Sequence, residues 1–284
     1  MDHANRLNGK YASASVPHTV SEPANPASCG IAFMAKASAP GRTKTRLVPP
    51  LTFDEAASLN TAFLQDVADN VLLAAQHTVP HAGIAGYAAF GPPGSEEFFR
   101  RTLPPAIGLI EAWLPNFGDC LLHAIVEIFA RGHRSAVVLN SDSPTLPTAL
   151  LSETAEALAQ PGDRAVLGPS SDGGYYLLGI KTPHRRLFED IAWSTECVAA
   201  QTFERAREIG LEVYHLPVWY DVDDAESLRR LQNELGRSEP LRHRLDGQQL
   251  HHARHTAALL NDLRRQRDFS RRVEATMQVE ELRA

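Results

Sequence analysis

At 284 residues, with 43% hydrophobic and 22% charged side chains, the chain is long for one domain, short for two, and ordinary for a soluble protein with a real core. A formal charge of −6 argues against a nucleic-acid protein, and no apolar run approaches a membrane span. Three scattered cysteines, Cys29, Cys120 and Cys197, without CxxC spacing exclude a disulfide framework or cysteine zinc site; with no signal-peptide core, they point to a cytoplasmic protein.

Residues 1–28 mix Asn, Ser, Ala, His and Pro without periodicity and read as a disordered lead-in. Order is expected to begin with an apolar strand over 29–36, followed by a loop over 37–50. That loop carries the spacing Lys36-x-x-x-Pro40-Gly41-x-x-Lys44-Thr45-Arg46. Ligands of open α/β sheets bind beyond the carboxyl ends of strands. A polyphosphate there needs countercharge, close backbone approach of the kind Gly41 permits, and an Arg for bidentate contact. The plainer reading is a solvated basic loop; the spacing is not that of a Walker A loop. Thr52 and Glu55 form a capping box that opens a helix through about residue 76.

A strand over 83–90, a short helix over 95–101, a strand over 107–114 and a helix over 118–130 follow, the last stopped by Gly132. The next apolar strand, 135–140, runs into Ser141-Asp142-Ser143-Pro144. Asp142 is thus placed at the sheet's carboxyl edge, where it can hold a divalent cation or cap the turn. After a helix over 148–159, strands over 165–168 and 175–180 flank Asp172-Gly173-Gly174-Tyr175-Tyr176. A hairpin accounts for the acid and glycines; alternatively Asp172 is an acceptor ligand or general base, with Tyr175 or Tyr176 stacking on a sugar or base.

A helix over 195–209 and a strand over 212–219 lead to Asp221-Val222-Asp223-Asp224. Alternation puts Asp221 and Asp223 on one side, able to complete a metal site with Asp142, while Asp223 or Asp224 can cap the helix over 225–235. Strands separated by helices imply a largely parallel, two-sided sheet. From residue 236 the chain turns Arg-rich, and Leu250, Ala253, Ala257, Leu260 and Leu263 recur at helical spacing. This amphipathic helix packs on the parent domain, mediates a homodimer or binds a partner. His251 and His255 lie one helical turn apart but lack a neighbouring Glu or third ligand, so they read as surface histidines without a metal.

Together these segments resemble a bacterial family of GT-A-fold transferases described as glycosyltransferases and associated in some genomes with arsenosugar biosynthesis. The matching elements are Lys36 with residues 40–47, Ser141 to Pro144, Gly168 to Tyr176, Ile191 to Thr195, and Asp221 to Asp223. The skeleton is also similar to 2-phospholactate guanylyltransferase-like nucleotidyltransferases. The resemblance implies an α/β GT-A (nucleotide-diphospho-sugar transferase-like) fold: a mixed, mostly parallel sheet with helices on both faces over 29–235, and a helical C-terminal extension over 236–284.

It further implies that Lys36, Pro40, Gly41, Lys44 and Arg46 cradle nucleotide phosphates and that Asp142 and Asp223, with Asp221, hold Mg2+ or Mn2+. Asp172, Gly173, Gly174, Tyr175, Trp193 and Ser194 fall on the acceptor side, with Asp172 as the base. The partners are then a nucleotide or nucleotide-sugar and a small acceptor. The expected reaction is glycosyl transfer from a nucleoside-diphosphate sugar. The alternatives are nucleotidyl transfer with pyrophosphate release and a non-catalytic nucleotide-binding or scaffold role. One departure is that the family's Leu-Gly-Glu-Arg stretch holds Cys120 in place of Arg, and its upstream Gln is lost.

Overall fold

In the computed structural model, which describes residues 29–77, 82–236 and 249–281, β1 (Cys29–Lys36) lies inside a seven-stranded sheet. The expected lead-in over 1–28 lies outside the described residues. Side chains on a strand alternate between faces, and β1 divides its own accordingly. Ile31, Phe33 and Ala35 enter one core and Ala32 the other. β4 (Ser135–Leu139) does the same with Val137 and Leu139 against Ala136 and Val138. A strand buried on both faces reads as a continuous apolar run, which is why both were legible.

The remaining strands are β2 (Ile84–Gly91), β3 (Gly108–Glu111), β5 (Arg164–Pro169), β6 (Tyr175–Ile180) and β7 (Glu212–His215). The order is β3-β2-β1-β4-β6-β5-β7. Pairing is parallel except where β6 runs antiparallel to β4 and β5. α1 (Phe53–His77) and α4 (Thr148–Ala159) cover one face; α3 (Phe117–Ala130) and α5 (Val198–Glu208) cover the other. α2 (Glu96–Thr102) and α6 (Ala225–Gly236) complete this region. The sheet is therefore mixed and mostly parallel with helices on both sides, and β1 and β4 deliver their carboxyl ends side by side.

The capping box at α1 is reciprocal: the Thr52 amide donates to Glu55 Oε2 at 2.7 Å and the Glu55 amide to Thr52 Oγ1 at 3.2 Å. Other boundaries differ from expectation. β7 stops at His215, well short of residue 219. Pro217 has no amide to donate, and Trp219 makes only an isolated bridge to Ser170. α5 starts at Val198 rather than residue 195, because Ser194 turns left-handed at φ 64 and Thr195 Oγ1 donates to the Ala192 carbonyl at 2.7 Å. β3 stops at Glu111, three residues short of the expected end at 114.

The C-terminal helices, α7 (Arg254–Arg265) and α8 (Arg267–Glu281), pack back on the sheet's partners. Leu250, Leu260, Leu263 and Phe269 join the same core as β1, so the amphipathic stripe is occupied within the chain. Asp66 of α1 accepts from the amides of His255 and Thr256 at 2.9 and 2.8 Å. An acid on one helix thereby satisfies the orphan donors of another. Arg272 forks onto Glu55 at 2.8 and 2.7 Å, tying α8 to the start of α1. His251 is buried, contrary to the expectation of surface histidines, and its amide donates to the Thr145 carbonyl at 3.2 Å. Among the described residues no helix is long and apolar enough to cross a membrane.

Candidate functional site

Three segments distant in sequence meet beyond the carboxyl ends of β1 and β4. The first is the loop after β1. Asn60 of α1 donates to the Lys36 carbonyl and to Ser38 Oγ at 3.1 and 2.8 Å, fixing where the loop starts. Fully buried Leu47 anchors its end in a 3-10 turn, Thr45–Leu47. Between them Lys44 adopts a left-handed conformation at φ 49, which costs an L-residue about 1–2 kcal/mol. The strain sends the Lys44 side chain inward, where it is 6% exposed.

The second and third segments are zipped together. The Val222 amide donates to the Asp142 carbonyl at 2.9 Å, and Ser143 Oγ to the Tyr220 carbonyl at 2.8 Å. Lys44 Nζ then reaches Asp142 Oδ1 at 2.8 Å, Asp223 Oδ1 at 2.9 Å and the Val222 carbonyl at 2.8 Å. Burial pushes the ammonium toward losing its proton, but attraction to Asp142 and Asp223 outweighs it and the pKa rises. Lys44 is a cation here.

Arg46 Nη1 lies 3.6 Å from Asp223 Oδ2 and is 75% exposed. That long, wet pair contributes little and leaves donors free for a ligand. Lys36 Nζ donates to the Arg42 carbonyl at 2.8 Å, and Gly41 takes φ 72 in the turn between them. Asp224 caps α6, accepting from the Ser227 amide at 2.8 Å, which frees Asp223 for the cleft.

Asp221 is pushed up to about 6 by burial first, then by the charges of Asp172, Asp223 and Asp142. Four carboxylates therefore share one region. Asp172 Oδ1 accepts from the Gly174 amide at 2.9 Å, so its turn role is real and coexists with its place near Asp221. Gly173, at φ 88, is wedged so tightly that a Cβ would fall 2.0 Å from the Glu196 carbonyl oxygen.

The acids separate two cavities that share Arg46 and Asp223. The first, about 490 Å³, is lined by the Lys36–Arg46 loop on one side and by Trp113, Phe117, Cys120 and Tyr175 on the other. The second, about 800 Å³, holds Asp172 and Asp221. Asp172 and Tyr175, expected together on one acceptor side, thus face different cavities. Trp193 does not line the first cavity; it braces Phe117 edge-on at 5.5 Å and Tyr175 at 6.4 Å. Gly118 makes room, since a Cβ there would meet the Trp193 indole at 2.7 Å. Ser194 is exposed. Cys120 is buried, with the Leu114 amide donating to its sulfur at 3.2 Å.

Two polar atoms on the first cavity's wall, Asn140 Oδ1 and the Tyr175 hydroxyl, are buried without a hydrogen-bond partner. Buried polar groups are nearly always satisfied, so each of these atoms calls for a partner, a water or a ligand. Sequence reasoning passed over Asn140 as a strand end and Trp113 as strand interior. The early stop of β3 was the missing information.

Two carboxylates and a carbonyl already hold one cation, the Lys44 ammonium. An all-oxygen donor set of this kind suits a hard divalent ion such as Mg2+ or Mn2+. The three acids Asp142, Asp221 and Asp223 do not close to the spacing of a ready-made cluster, whereas the ligand atoms of Asp66, Asp69 and His255 lie within 4.8 Å of one another. The latter group is occupied by docking α7. Both Asp66 oxygens take backbone amides, and Asp69 Oδ2 pairs with Arg254 at 2.9 Å and His255 at 3.2 Å.

Residues 74–195 match a family described as "Uncharacterized protein conserved in bacteria (DUF2064)", a span that contains Asp142 and Asp172 but neither the Lys36–Arg46 loop nor Asp223. No curated protein matches the chain. A "putative nucleotide-diphospho-sugar transferase" from Desulfovibrio desulfuricans G20 is similar at 28% identity, over 87% of this chain and 98% of that one, with a TM-score of 0.70. A cytidylyltransferase from Leptospira borgpetersenii aligns at 10% identity over 84% of this chain and 94% of its own, TM-score 0.46. A CMP:2-keto-3-deoxy-manno-octonic acid synthetase complexed with CTP aligns at 12% over 73% and 98%, TM-score 0.46. The fold is of the nucleotide-diphospho-sugar transferase type.

Proposed function

We propose that the chain is a metal-dependent glycosyltransferase that moves a sugar from a nucleoside-diphosphate donor to a small acceptor. The observation that carries this reading is the meeting of Asp142, Asp223 and Lys44, from three separate segments, at the mouth of a cavity walled by a basic loop. The 28% identity to a protein described as a nucleotide-diphospho-sugar transferase supports the same substrate class.

Lys36, Lys44 and Arg46, with the backbone around Pro40 and Gly41, bind and orient the diphosphate, and their charges match what develops on it as the sugar departs. Mg2+ or Mn2+, held by Asp142 and Asp223 with Asp221 beside them, would supply further positive charge at the leaving group. Losing one such contact costs on the order of 3 kcal/mol in the transition state. Trp113, Phe117 and Tyr175 give the donor's flat portion an apolar wall, while the Tyr175 hydroxyl and Asn140 Oδ1 offer it polar contacts. Asp172, in the adjoining cavity with Gly173 and Gly174 shaping its turn, takes the proton from the acceptor. Trp193 braces Phe117 and Tyr175, and Ser194 beside it is exposed. A homodimer through α7 would use its outer side, since the apolar stripe faces inward.

Nucleotidyl transfer would use the same loop and acids, and the products separate the two. The test is a panel of nucleoside-diphosphate sugars and nucleoside triphosphates with Mn2+, scored first by thermal shift and then by product. Release of nucleoside diphosphate is expected; pyrophosphate release would replace the glycosyl reading by the nucleotidyl one. Absence of binding across the panel would reject both.

A further inference from the structure

We infer that Lys44 is the resident cation of the Asp142–Asp223 site in the ligand-free protein, and that a divalent ion enters only as a complex with a polyphosphate, which gives the displaced ammonium a new partner. This rests on the transferase reading above and specifies the form in which its donor is loaded.

The ammonium has three N–H donors, and all three are spent: on Asp142 Oδ1 at 2.8 Å, Asp223 Oδ1 at 2.9 Å and the Val222 carbonyl at 2.8 Å. Nζ thereby bridges the two acids through one oxygen of each, the place an ion bridging the same pair of carboxylates would take. An ion and an ammonium on the same pair of carboxylate oxygens repel strongly in a partly dry site, so one must leave. Lys44 has few ways out. Its backbone is held left-handed between the Asn60-bound loop start and buried Leu47, and the Phe63 ring lies 5.3 Å from Nζ. The open direction is the adjoining 490 Å³ cavity, which Lys44 itself lines with Lys36, Arg42 and Arg46.

Apart from Asp142 and Asp223 the charged residues of that cavity are cations, and the unpaired acceptors on its wall, Asn140 Oδ1 and the Tyr175 hydroxyl, are neutral. Lys36 Nζ is bonded to a carbonyl, not a carboxylate, and Arg46 has only its long pair with Asp223. A bare ion would therefore push Lys44 toward Lys36, Arg42 and Arg46 with only neutral acceptors to receive it. A polyphosphate reverses the balance: it neutralises the basic loop, accepts hydrogen bonds from the displaced ammonium and brings the ion already partly ligated. Ion and phosphate are thereby coupled through one side chain, each lowering the cost of the other.

The experiment measures Mn2+ binding to the full chain by electron paramagnetic resonance, first alone and then with inorganic pyrophosphate as the probe. Wild-type protein should bind bare Mn2+ weakly and Mn2+–pyrophosphate well. Lys44→Gln and Lys44→Met should bind bare Mn2+ at least about tenfold more tightly than wild type, because the competing charge is gone, and should gain less from pyrophosphate. If the wild type binds Mn2+–pyrophosphate but neither variant improves on bare Mn2+, the displacement falls while the transferase reading stands. If the wild type binds neither Mn2+–pyrophosphate nor any Mn2+–nucleotide, both fall. Should the variants fail to fold, a crystal structure of wild type with Mn2+ and pyrophosphate decides alone. Nζ on phosphate oxygens supports the inference; Nζ still bridging Asp142 and Asp223 overturns it.

Discussion

Replacing Asp221 by Asn should stabilise the metal-free protein at neutral pH and leave it unchanged in acid. A raised carboxyl pKa means the fold disfavours the ionised form. Below the ordinary value of 3.8 the group is protonated folded or unfolded and contributes nothing. Between there and about 6 the unfolded chain sheds the proton first, and above about 6 the full penalty applies. For a fully buried group that interval corresponds to at most about 3 kcal/mol; Asp221 is half-buried, and solvent screening reduces it to about 1 kcal/mol. In a chain of this size that is a melting shift of about 2–4 °C. Melting curves of wild type and Asp221→Asn, taken in EDTA from pH 4 to 8, read the difference directly. A variant less stable than wild type at pH 8, or a gain independent of pH, would refute the four-carboxylate electrostatics.

Asp142→Asn and Asp223→Asn should each abolish most Mn2+-dependent nucleotide binding, a loss of at least about tenfold by calorimetry; unchanged binding would remove the site assignment. Gly173→Ala combines a positive φ with a backbone clash and should cost more than about 1 kcal/mol in urea unfolding. Tyr175→Phe deletes an unpaired buried hydroxyl, so stability should hold or rise, while affinity for the correct nucleotide falls; equal affinity would show that the hydroxyl meets no ligand. Arg272→Ala breaks the fork on Glu55 and should lower the melting temperature, more so at low salt.

The parts of the molecule legible in the sequence are those governed by local chemistry. The Thr52–Glu55 box predicted α1, the doubly buried runs of β1 and β4 announced themselves by continuous hydrophobicity, and the matching motifs named Lys44, Asp142 and Asp223 as partners of a shared site. What stayed hidden depends on non-local contact. That Lys44 itself would lie between the two acids follows from its left-handed backbone and from the Val222–Asp142 hydrogen bond, neither of which has a composition signature. The division of Asp172 and Tyr175 between two cavities, one in the turn and the other at the start of β6, likewise has no mark in the sequence. Asn140 and Trp113 carried no pattern marking them as cavity wall, and the burial of His251 goes with a contact distant in sequence, its amide on the Thr145 carbonyl.

The docking of the last helices has a consequence for biosynthesis. Leu250, Leu260, Leu263 and Phe269 belong to the core that also holds β1 and α1, so a nascent chain that has emerged only through α6 leaves α1 with an open greasy flank. Domains tend to condense as they leave the ribosome. This one cannot seal its first helix until its late helices arrive.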